Sequence, residues 1–206
     1  MPLPRFHRLP PETQAALLAV ARGHFARAGR DAASFNRIIA DAGISKTSAY
    51  HYFDGKEDLF EAVVGDAVRR TLTALGPWTE VATADELWRQ LTQGATRLAE
   101  HLRAHPEDRA VLAAGRGLEH TDASWVHRLV DNGLRIGVID PGPSAELVTV
   151  VTVAVFAALD AWALARPDDA DDGATRALTT YLARLWRTVP PPAGEAGTTG
   201  SAAGPR

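Results

Sequence analysis

The chain has 206 residues, 46% of them hydrophobic and 23% charged, which is enough apolar material for a sizeable core. It contains no cysteine, which excludes disulfides, thiolate metal sites and cysteine nucleophiles. The net charge of −3 is unevenly distributed, because residues 1–53 carry seven basic and three acidic side chains, a net +4, and the remainder carries −7. A basic segment on an acidic body is typical of a protein that meets a polyanion at one end. No signal-peptide apolar run follows the N-terminus, so we expect a cytoplasmic location.

Four helices are predicted in the first 75 residues. Apolar residues recur with helical spacing after Pro11, and glycine ends that first helix at Gly29. Ser34 and Ser45 are typical N-caps for two short helices that are separated by a turn at Gly43. The predicted helices cover residues 11–29, 35–42, 46–53 and 56–75.

Gly76 and Pro77 mark a boundary, beyond which prolines separate five more predicted helices. These helices lie near residues 84–104, 107–118, 122–136, 144–165 and 172–188. The last residues, 190–206, are rich in Pro, Gly, Ala, Ser and Thr without apolar periodicity, so they are predicted to be a disordered tail. The fold class is therefore all-α, with domains at 1–55 and 56–189 before the tail.

The stretch from Leu147 to Ala165, LVTVVTVAVFAALDAWALA, is almost entirely apolar. Valine and threonine favour a strand locally, but this length without a turn signal favours a helix or a membrane span. Asp160 within the stretch and the lack of a flanking basic cluster argue against a membrane. We expect a helix that is buried in the body and at a subunit interface.

The two short helices around Gly43 have the form of a helix-turn-helix, whose second helix is the candidate reading helix. Ala49 and Phe53 are predicted to face inward. The outward positions are Lys46, Thr47, Ser48, Tyr50 and His51. Both lysines of the chain and two of its three tyrosines lie in residues 46–56, and all of these side chains are donors to phosphate oxygens and base edges. A solvated polar face is the simpler alternative, but exposed phenols between lysines are unusual on such a surface.

Several of these residues, in this order and spacing, resemble the TetR family of transcriptional regulators over about residues 12–65. The resemblance rests on Ala21, Phe25, Gly29, Ser34, Ile39-Ala40, Ala42-Gly43-Ile44-Ser45-Lys46, Tyr50-His51-Tyr52-Phe53 and Lys56-Glu57-Asp58-Leu59. It implies an all-helical homodimer with an N-terminal DNA-binding domain and a C-terminal domain that binds a small molecule and dimerises.

Carried over by position, the resemblance also implies DNA contacts. Ser34 would bond a phosphate. Ser45, Lys46, Thr47 and Ser48 would meet base edges and backbone in the major groove, while Tyr50, His51 and Tyr52 would contact phosphates or thymine methyl groups. Lys56 would bind a further phosphate. Two reading helices of a dimer enter successive major grooves, which predicts a palindromic operator. Ligand binding would then move the helix at 56–75 and release the DNA.

A ligand pocket in the body is a further prediction. Its candidate residues are Trp78, Trp88, Leu91, Trp125, Thr152, Phe156 and Asp160. For any single tryptophan, plain core packing is the simpler interpretation, because large aromatic side chains dominate cores. Asp160 is as well suited to facing solvent or a partner subunit as to a pocket.

The helices near 144–165 and 172–188 are predicted to form a dimer interface. Small side chains on the first permit close helix approach, and the second has an apolar stripe, so a four-helix bundle across a two-fold axis is expected. The alternative is that both pack only within the subunit.

We predict neither a metal site nor a cofactor. His101 and His105 have a spacing that can hold a metal, but Pro106 disfavours helical geometry at His105, and His120 is the only loose third ligand. No phosphate-binding loop, nucleophile motif or acid–base pair indicates an enzyme. The expected function is therefore a repressor that a small molecule releases from its operator. The alternative is a DNA-binding regulator without such an effector, controlled by a protein partner or acting as an architectural protein.

Overall fold

The computed structural model describes residues 2–116, 123–166 and 172–188, and all regular secondary structure within them is helical. A short 3-10 helix covers Phe6–Arg8, and nine α-helices follow. Their bounds are α1 Pro11–Ala32, α2 Phe35–Asp41, α3 Lys46–Tyr52, α4 Lys56–Leu75, α5 Ala84–Ala104, α6 Pro106–Ala114, α7 Ser124–Arg135, α8 Ala145–Leu164 and α9 Asp172–Trp186. The all-α fold is thus confirmed. The predicted tail at 190–206 lies outside the described residues.

Local sequence signals account for most helix ends. Ser34 and Ser45 cap α2 and α3 as predicted, with Ser45 Oγ accepting from the Ser48 amide at 3.1 Å. The turn between them passes through Gly43 at φ 68°, a conformation that glycine adopts without steric cost. The end of α1 differs from the prediction, because the helix resumes for one turn after Gly29, which itself lies at φ 76°.

The body begins with α4, which continues without interruption from Lys56 to Leu75 and ends at Gly76. A capping box starts α5, since Thr83 Oγ1 accepts from the Glu86 amide and the Glu86 carboxylate accepts from the Thr83 amide. Helix α6 ends at Ala114, four residues before the predicted end. The approach of α6 to α4 is very close there, because a Cβ on Gly115 would lie 2.7 Å from Val64 Cγ2.

Two hydrophobic clusters fill the interior. The first joins α1, α2 and the end of α3 to the first half of α4, and it also takes in Val111 from α6. The second joins α5, α7, α8 and α9, where the rings of Trp88 and Trp186 lie 5.5 Å apart. The first cluster extends past residue 55, so α4 and α6 belong to the core of the N-terminal part as well as to the body.

Buried charges add a polar connection between α1 and the body. Asp108 on α6 is fully buried and accepts hydrogen bonds from Arg70 on α4 at 2.9 Å and from His101 on α5 at 3.0 Å. Arg22 on α1 lies within ion-pair distance of Asp108 and also donates to Asp66 on α4 at 3.1 Å. Four helices therefore meet at one carboxylate.

Candidate nucleic-acid interface and ligand cavity

The α3 helix has one buried and one exposed face. Ala49 and the following Phe53 are completely buried, which confirms the predicted inward positions. On the other face Lys46, Thr47 and His51 are exposed, and Tyr50 is 52% exposed. The exposed face therefore carries an ammonium group, a hydroxyl, an imidazole and a phenol, without an acidic residue in the helix. Such a surface is suited to phosphate oxygens and base edges.

Two serines of this surface form the cap of α3. Ser45 Oγ accepts from the Ser48 amide and lies 2.9 Å from Ser48 Oγ, to which it donates. Ser45 is exposed, whereas Ser48 is half-buried. The start of the reading helix is thus fixed by side-chain hydrogen bonds, with both hydroxyls at its N-terminal end.

Neighbouring helices orient two further predicted DNA contacts. Ser34 is exposed at the N-terminus of α2, and its Oγ accepts from the Arg37 amide at 3.4 Å. The Tyr50 ring lies 5.5 Å from the ring of Phe35, also on α2. The ring contact restrains the phenol, which reduces the entropy lost when it binds a partner.

Tyr52 and Lys56 lie in more confined surroundings than the sequence indicated. Tyr52 is half-buried, with its ring centroid 6.5 Å from those of Phe6 and Phe53. Lys56 is also half-buried, and its Nζ donates to the carbonyl oxygen of Asp31 at 2.7 Å. The ammonium group of Lys56 thus ties the start of α4 to the end of α1, and it retains two further N–H donors.

A cavity of about 470 Å³ lies in the body between α4, α5, α6, α7, α8 and α9. Its wall is mainly apolar. The residues that line it include Val64, Val68, Thr71, Leu72 and Leu75 from α4, Leu91, Ala95, Leu98 and Leu102 from α5, Arg109 and Leu112 from α6, Gly115 and Arg116 after α6, Trp125 and Val126 from α7, Val153, Phe156 and Asp160 from α8, and Leu178 from α9. Volume and lining are those of a small-molecule site.

The structure brings four of the seven predicted pocket residues to this wall, namely Leu91, Trp125, Phe156 and Asp160. The other three lie elsewhere. Trp78 is buried against α7 and donates from Nε1 to Asn132 Oδ1 at 3.1 Å. Trp88 packs on Trp186, and both tryptophans belong to the second cluster. Thr152 is buried beside them, where its Oγ1 accepts a hydrogen bond from Trp186 Nε1 at 3.1 Å.

Asp160 is the acidic residue among the cavity residues, and no hydrogen bond or ion pair joins its carboxylate to another described residue. Asp160 is exposed to solvent in the single chain, and protein atoms of the cavity wall lie around it. Burial among them raises the pKa of Asp160 to about 6, since it disfavours the charged form.

Two arginines of the cavity wall donate to backbone carbonyls of α8 and not to the Asp160 carboxylate. Arg109 Nη2 donates to the carbonyl oxygen of Ala163 at 2.7 Å, and Arg116 Nη1 donates to that of Ala161 at 3.4 Å. Both carbonyls lie in the last turn of α8, where the helix dipole favours positive charge. The arginines therefore stabilise the end of α8 and leave the carboxylate of Asp160 without a counter-ion in the described part of the chain.

The contribution of α4 and α6 to the cavity was not predicted from the sequence. Val64 and Val68 read as ordinary apolar positions of a helix that packs against the N-terminal core. A signal was present, because the apolar residues of α4 extend over a wider arc than one packing partner needs.

The two histidines with metal-like spacing have other surroundings. His101 bonds to Asp108, and its ring lies 4.5 Å from that of His105 at the end of α5. The described residues include no group of three His, Cys, Asp or Glu side chains that would hold a metal ion. His120 lies outside the described residues.

Helix α8 is long and apolar enough to cross a membrane, and it is the one such helix in the described part of the chain. Only Val148 and Thr152 of this helix are buried. The predicted burial in the body is therefore only partial in the single chain, because α8 packs on α7 and α9 with part of its surface and leaves the rest uncovered, including Leu147 and Val150, which are more than half exposed. The predicted subunit interface at this helix stays a prediction.

The structure combines a helix-turn-helix that has a donor-rich reading face with a body that contains an apolar cavity, and one continuous helix joins the two. This is the arrangement of a DNA-binding regulator. Comparison with known proteins agrees. Residues 17–63 match the family model of the bacterial regulatory proteins of the tetR family. No curated protein matches the chain.

Solved structures resemble the chain over most of its length. A putative transcriptional regulator from Streptomyces coelicolor is 28% identical, with a TM-score of 0.50 over 84% of this chain and 98% of that one. A TetR-like regulator from Rhodococcus sp. RHA1 is 19% identical, with a TM-score of 0.56 over 86% and 98%. A putative tetR family regulator from Shewanella sp. PV-4 is 18% identical, with a TM-score of 0.59 over 85% and 96%. Residues 17–63 thus form a DNA-binding domain of the tetR type, and the chain as a whole has the fold of TetR-like transcriptional regulators.

Proposed function

We propose that this regulator is a repressor that a small molecule releases from a palindromic operator. The observation that carries the proposal is the double role of α4. Its first half packs in the same hydrophobic cluster as Phe53, directly after the reading helix, while Val64, Val68 and Leu72 line the cavity. A molecule that displaces α4 in the cavity would move the reading helix with it. The cavity favours this mechanism over control by a protein partner.

The proposed DNA contacts are hydrogen-bond donors at the N-terminus of α2, on α3 and its cap, and at the start of α4. They are Ser34, Ser45, Lys46, Thr47, Ser48, Tyr50, His51, Tyr52 and Lys56. Lys46, Thr47, Tyr50 and His51 form the centre of the surface, because their side chains are exposed. Tyr52 and Lys56 lie at its edge, where the half-buried ring and the tethered ammonium group suit fixed phosphate contacts.

The proposed dimer forms through the uncovered face of α8 together with α9. Leu147 and Val150 are 51% and 59% exposed, and Tyr181 on α9 is 55% exposed. Ala154, Ala157 and Ala158 are exposed on α8 and allow a second helix to approach closely. An apolar helix face of this length is costly to leave in water, and a second copy of the chain would cover it.

The proposed effector is a largely apolar molecule with a hydrogen-bond donor or a positive charge. The apolar wall of α4 and α5 would take its body, and the unpaired carboxylate of Asp160 would take its polar group. Burial of an unpaired carboxylate is unfavourable, and a donor at this position would compensate for it.

The proposed transmission runs through α4 and α6. Arg109 lines the cavity on α6, and the adjacent Asp108 contacts Arg22 on α1. A shift of α6 would therefore act on α1 as well as on α4. The required coupling is modest, since a difference of roughly 1–3 kcal/mol in effector affinity between the two states is typical.

The test has two readouts on the full-length protein. A binding site is selected from random duplex DNA, and a panel of apolar amines with alcohols of matched shape is screened by thermal shift. Amines that stabilise the protein should release the selected DNA in a gel-shift titration, and Asp160→Asn should weaken their effect more than that of the alcohols. Compounds that bind in the cavity without altering DNA affinity would contradict the release mechanism.

A further inference from the structure

The chain before α1 folds onto the reading helix. The Leu3 amide donates to the carbonyl oxygen of Tyr52 at 2.8 Å, and the Phe6 amide donates to that of Leu3 at 2.9 Å. The 3-10 helix Phe6–Arg8 then leads into Pro10, the N-cap of α1. We call residues 2–9 the N-terminal arm. Its backbone is fixed to the C-terminal end of α3 rather than extended into solvent.

An aromatic anchor holds the arm in place. Phe6 is 3% exposed and belongs to the first hydrophobic cluster. Its ring centroid lies 5.0 Å from that of Phe53 and 6.5 Å from that of Tyr52. Burial of a phenylalanine ring removes a large apolar surface from water, and this stabilises the docked position of the arm.

The docked arm carries positive charge outward. Arg5, His7 and Arg8 are exposed. No ion pair or side-chain hydrogen bond connects them to another described residue, whereas Arg22 and Arg30 on α1 pair with acids. The arm itself contains no acidic residue. Two guanidinium groups thus lie unpaired beside a helix whose own exposed face is rich in donors.

We propose that the N-terminal arm is a second DNA-contacting surface, in which Arg5 and Arg8 bind backbone phosphates that flank the major groove entered by α3. The inference rests on the proposed DNA interface and extends it beyond the residues that match the family model, which begin at residue 17. Guanidinium groups form paired hydrogen bonds to phosphate.

Docking makes the contact cheaper to form than it would be for a free arm. An unstructured segment loses backbone conformational entropy at each residue that becomes ordered on DNA, and the Phe6 anchor removes part of that cost beforehand. Phosphate contacts position a protein on DNA without reading sequence, so the arm should contribute affinity and salt dependence rather than base preference.

The experiment compares salt dependence in matched variants of the full-length chain. Operator DNA is obtained by selection from random duplexes, and affinity is followed by fluorescence anisotropy between 50 and 300 mM salt, a range of roughly one decade in which the slope is linear. The variants are Arg5→Ala, Arg8→Ala and the double substitution. Arg89→Ala is the control, because it removes the same charge from an exposed position on α5 in the body.

A plot of log affinity against log salt has a negative slope. Each arm substitution should make that slope less steep by about 2, since a dimer loses two contacts worth about 0.9 each. Arg89→Ala should leave the slope unchanged. Phe6→Ala keeps both charges but removes the anchor, so it should weaken binding less than the double substitution while circular dichroism shows an intact helical content. Shortening the duplex at its flanks should weaken the wild type and leave the double variant unaffected.

Equal slopes for the double variant and Arg89→Ala would overturn the inference. A loss of affinity that depends on the flanking base sequence would also overturn it, because it would indicate base reading. Lys46→Ala separates this failure from a failure of the proposed interface. If Lys46→Ala weakens binding and the arm variants do not, only the contact by the arm is excluded. If neither weakens binding, the proposed DNA interface itself is wrong.

Discussion

The Nε atom of Arg22 on α1 lies 3.2 Å from Oδ1 of Asp108 on α6, in a site where the carboxylate has no exposed surface. Arg70 and His101 complete the surroundings of the same carboxylate. The α1 helix of the N-terminal part is thus joined to the body by buried charge as well as by apolar packing. Contacts of this kind are sensitive to the loss of one partner.

Asp108→Ala should destabilise the protein strongly. The substitution removes the buried carboxylate that Arg22, Arg70 and His101 share, although Arg22 keeps its ion pair with Asp66. Removal of one member of a buried ion pair costs about 3–5 kcal/mol. Urea denaturation followed by circular dichroism measures the free energy of unfolding. Glu100→Ala, an exposed position on α5 outside this ion network, is the control and should change the unfolding free energy little. Similar effects of the two substitutions would show that the network does not stabilise the fold.

Lys46→Ala and Tyr50→Ala should weaken DNA binding and leave the dimer intact. Both side chains are exposed on α3 and neither belongs to the buried clusters, so their removal should leave the core intact. Tyr50→Ala also removes the ring contact with Phe35. A loss of about 1–3 kcal/mol for each is expected in a gel-shift titration. Unchanged operator affinity in both variants would exclude α3 as the reading helix.

Asp160→Asn should change the pH dependence of stability. Because burial raises the pKa of Asp160 to about 6, the folded wild type binds more protons than the unfolded chain between about pH 4 and pH 6. Wild-type stability therefore falls as pH rises through this window, and the loss is complete above it. The variant lacks the effect, so it should be more stable than the wild type at pH 7.5, by about 1 kcal/mol after allowance for solvent in the cavity. The two should converge below pH 4. A constant difference across the range would contradict the burial of this carboxylate.

Gly115→Ala should be destabilising for steric reasons. The added Cβ would lie 2.7 Å from Cγ2 of Val64, a β-branched side chain with little freedom to move, and overpacking of this kind costs about 1–3 kcal/mol. Adding Val64→Ala should recover part of the loss, because the smaller side chain removes the clash. Thermal unfolding of the wild type, the single variants and the double variant measures the coupling. Additive effects would show that α6 and α4 adjust independently.

Val150→Glu should disrupt the dimer. The substitution places a charge on the uncovered face of α8, where a second copy of the chain is proposed to pack. Sedimentation equilibrium should show a shift to monomer, with operator affinity falling because one reading helix binds alone. Gln93→Glu, an exposed position on α5, is the control for the added charge. A Val150→Glu protein that remains dimeric would place the interface elsewhere.

The helices and caps of the N-terminal part follow from local sequence signals. Ser34, Ser45 and Gly43 act on their immediate neighbours, so capping and the turn are local effects that need no knowledge of the fold. The inward position of Ala49 likewise follows from helical periodicity alone. The exposed donors of α3 were predictable for the same reason, although their contact with DNA remains a prediction.

The residues that form the cavity wall and the ion network depend on how the helices pack. Trp88 and Trp125 are indistinguishable by local pattern, yet Trp88 packs against Trp186 while Trp125 lines the cavity, because the positions of α5, α7 and α9 determine which ring faces the gap. Asp108 looks like an ordinary acid in the first turn of α6, and it becomes a buried centre only when α1, α4 and α5 bring their cations to it. Local hydrogen bonds and periodicity fix helices, whereas burial and charge pairing depend on residues far apart in the chain that meet only after the helices have packed.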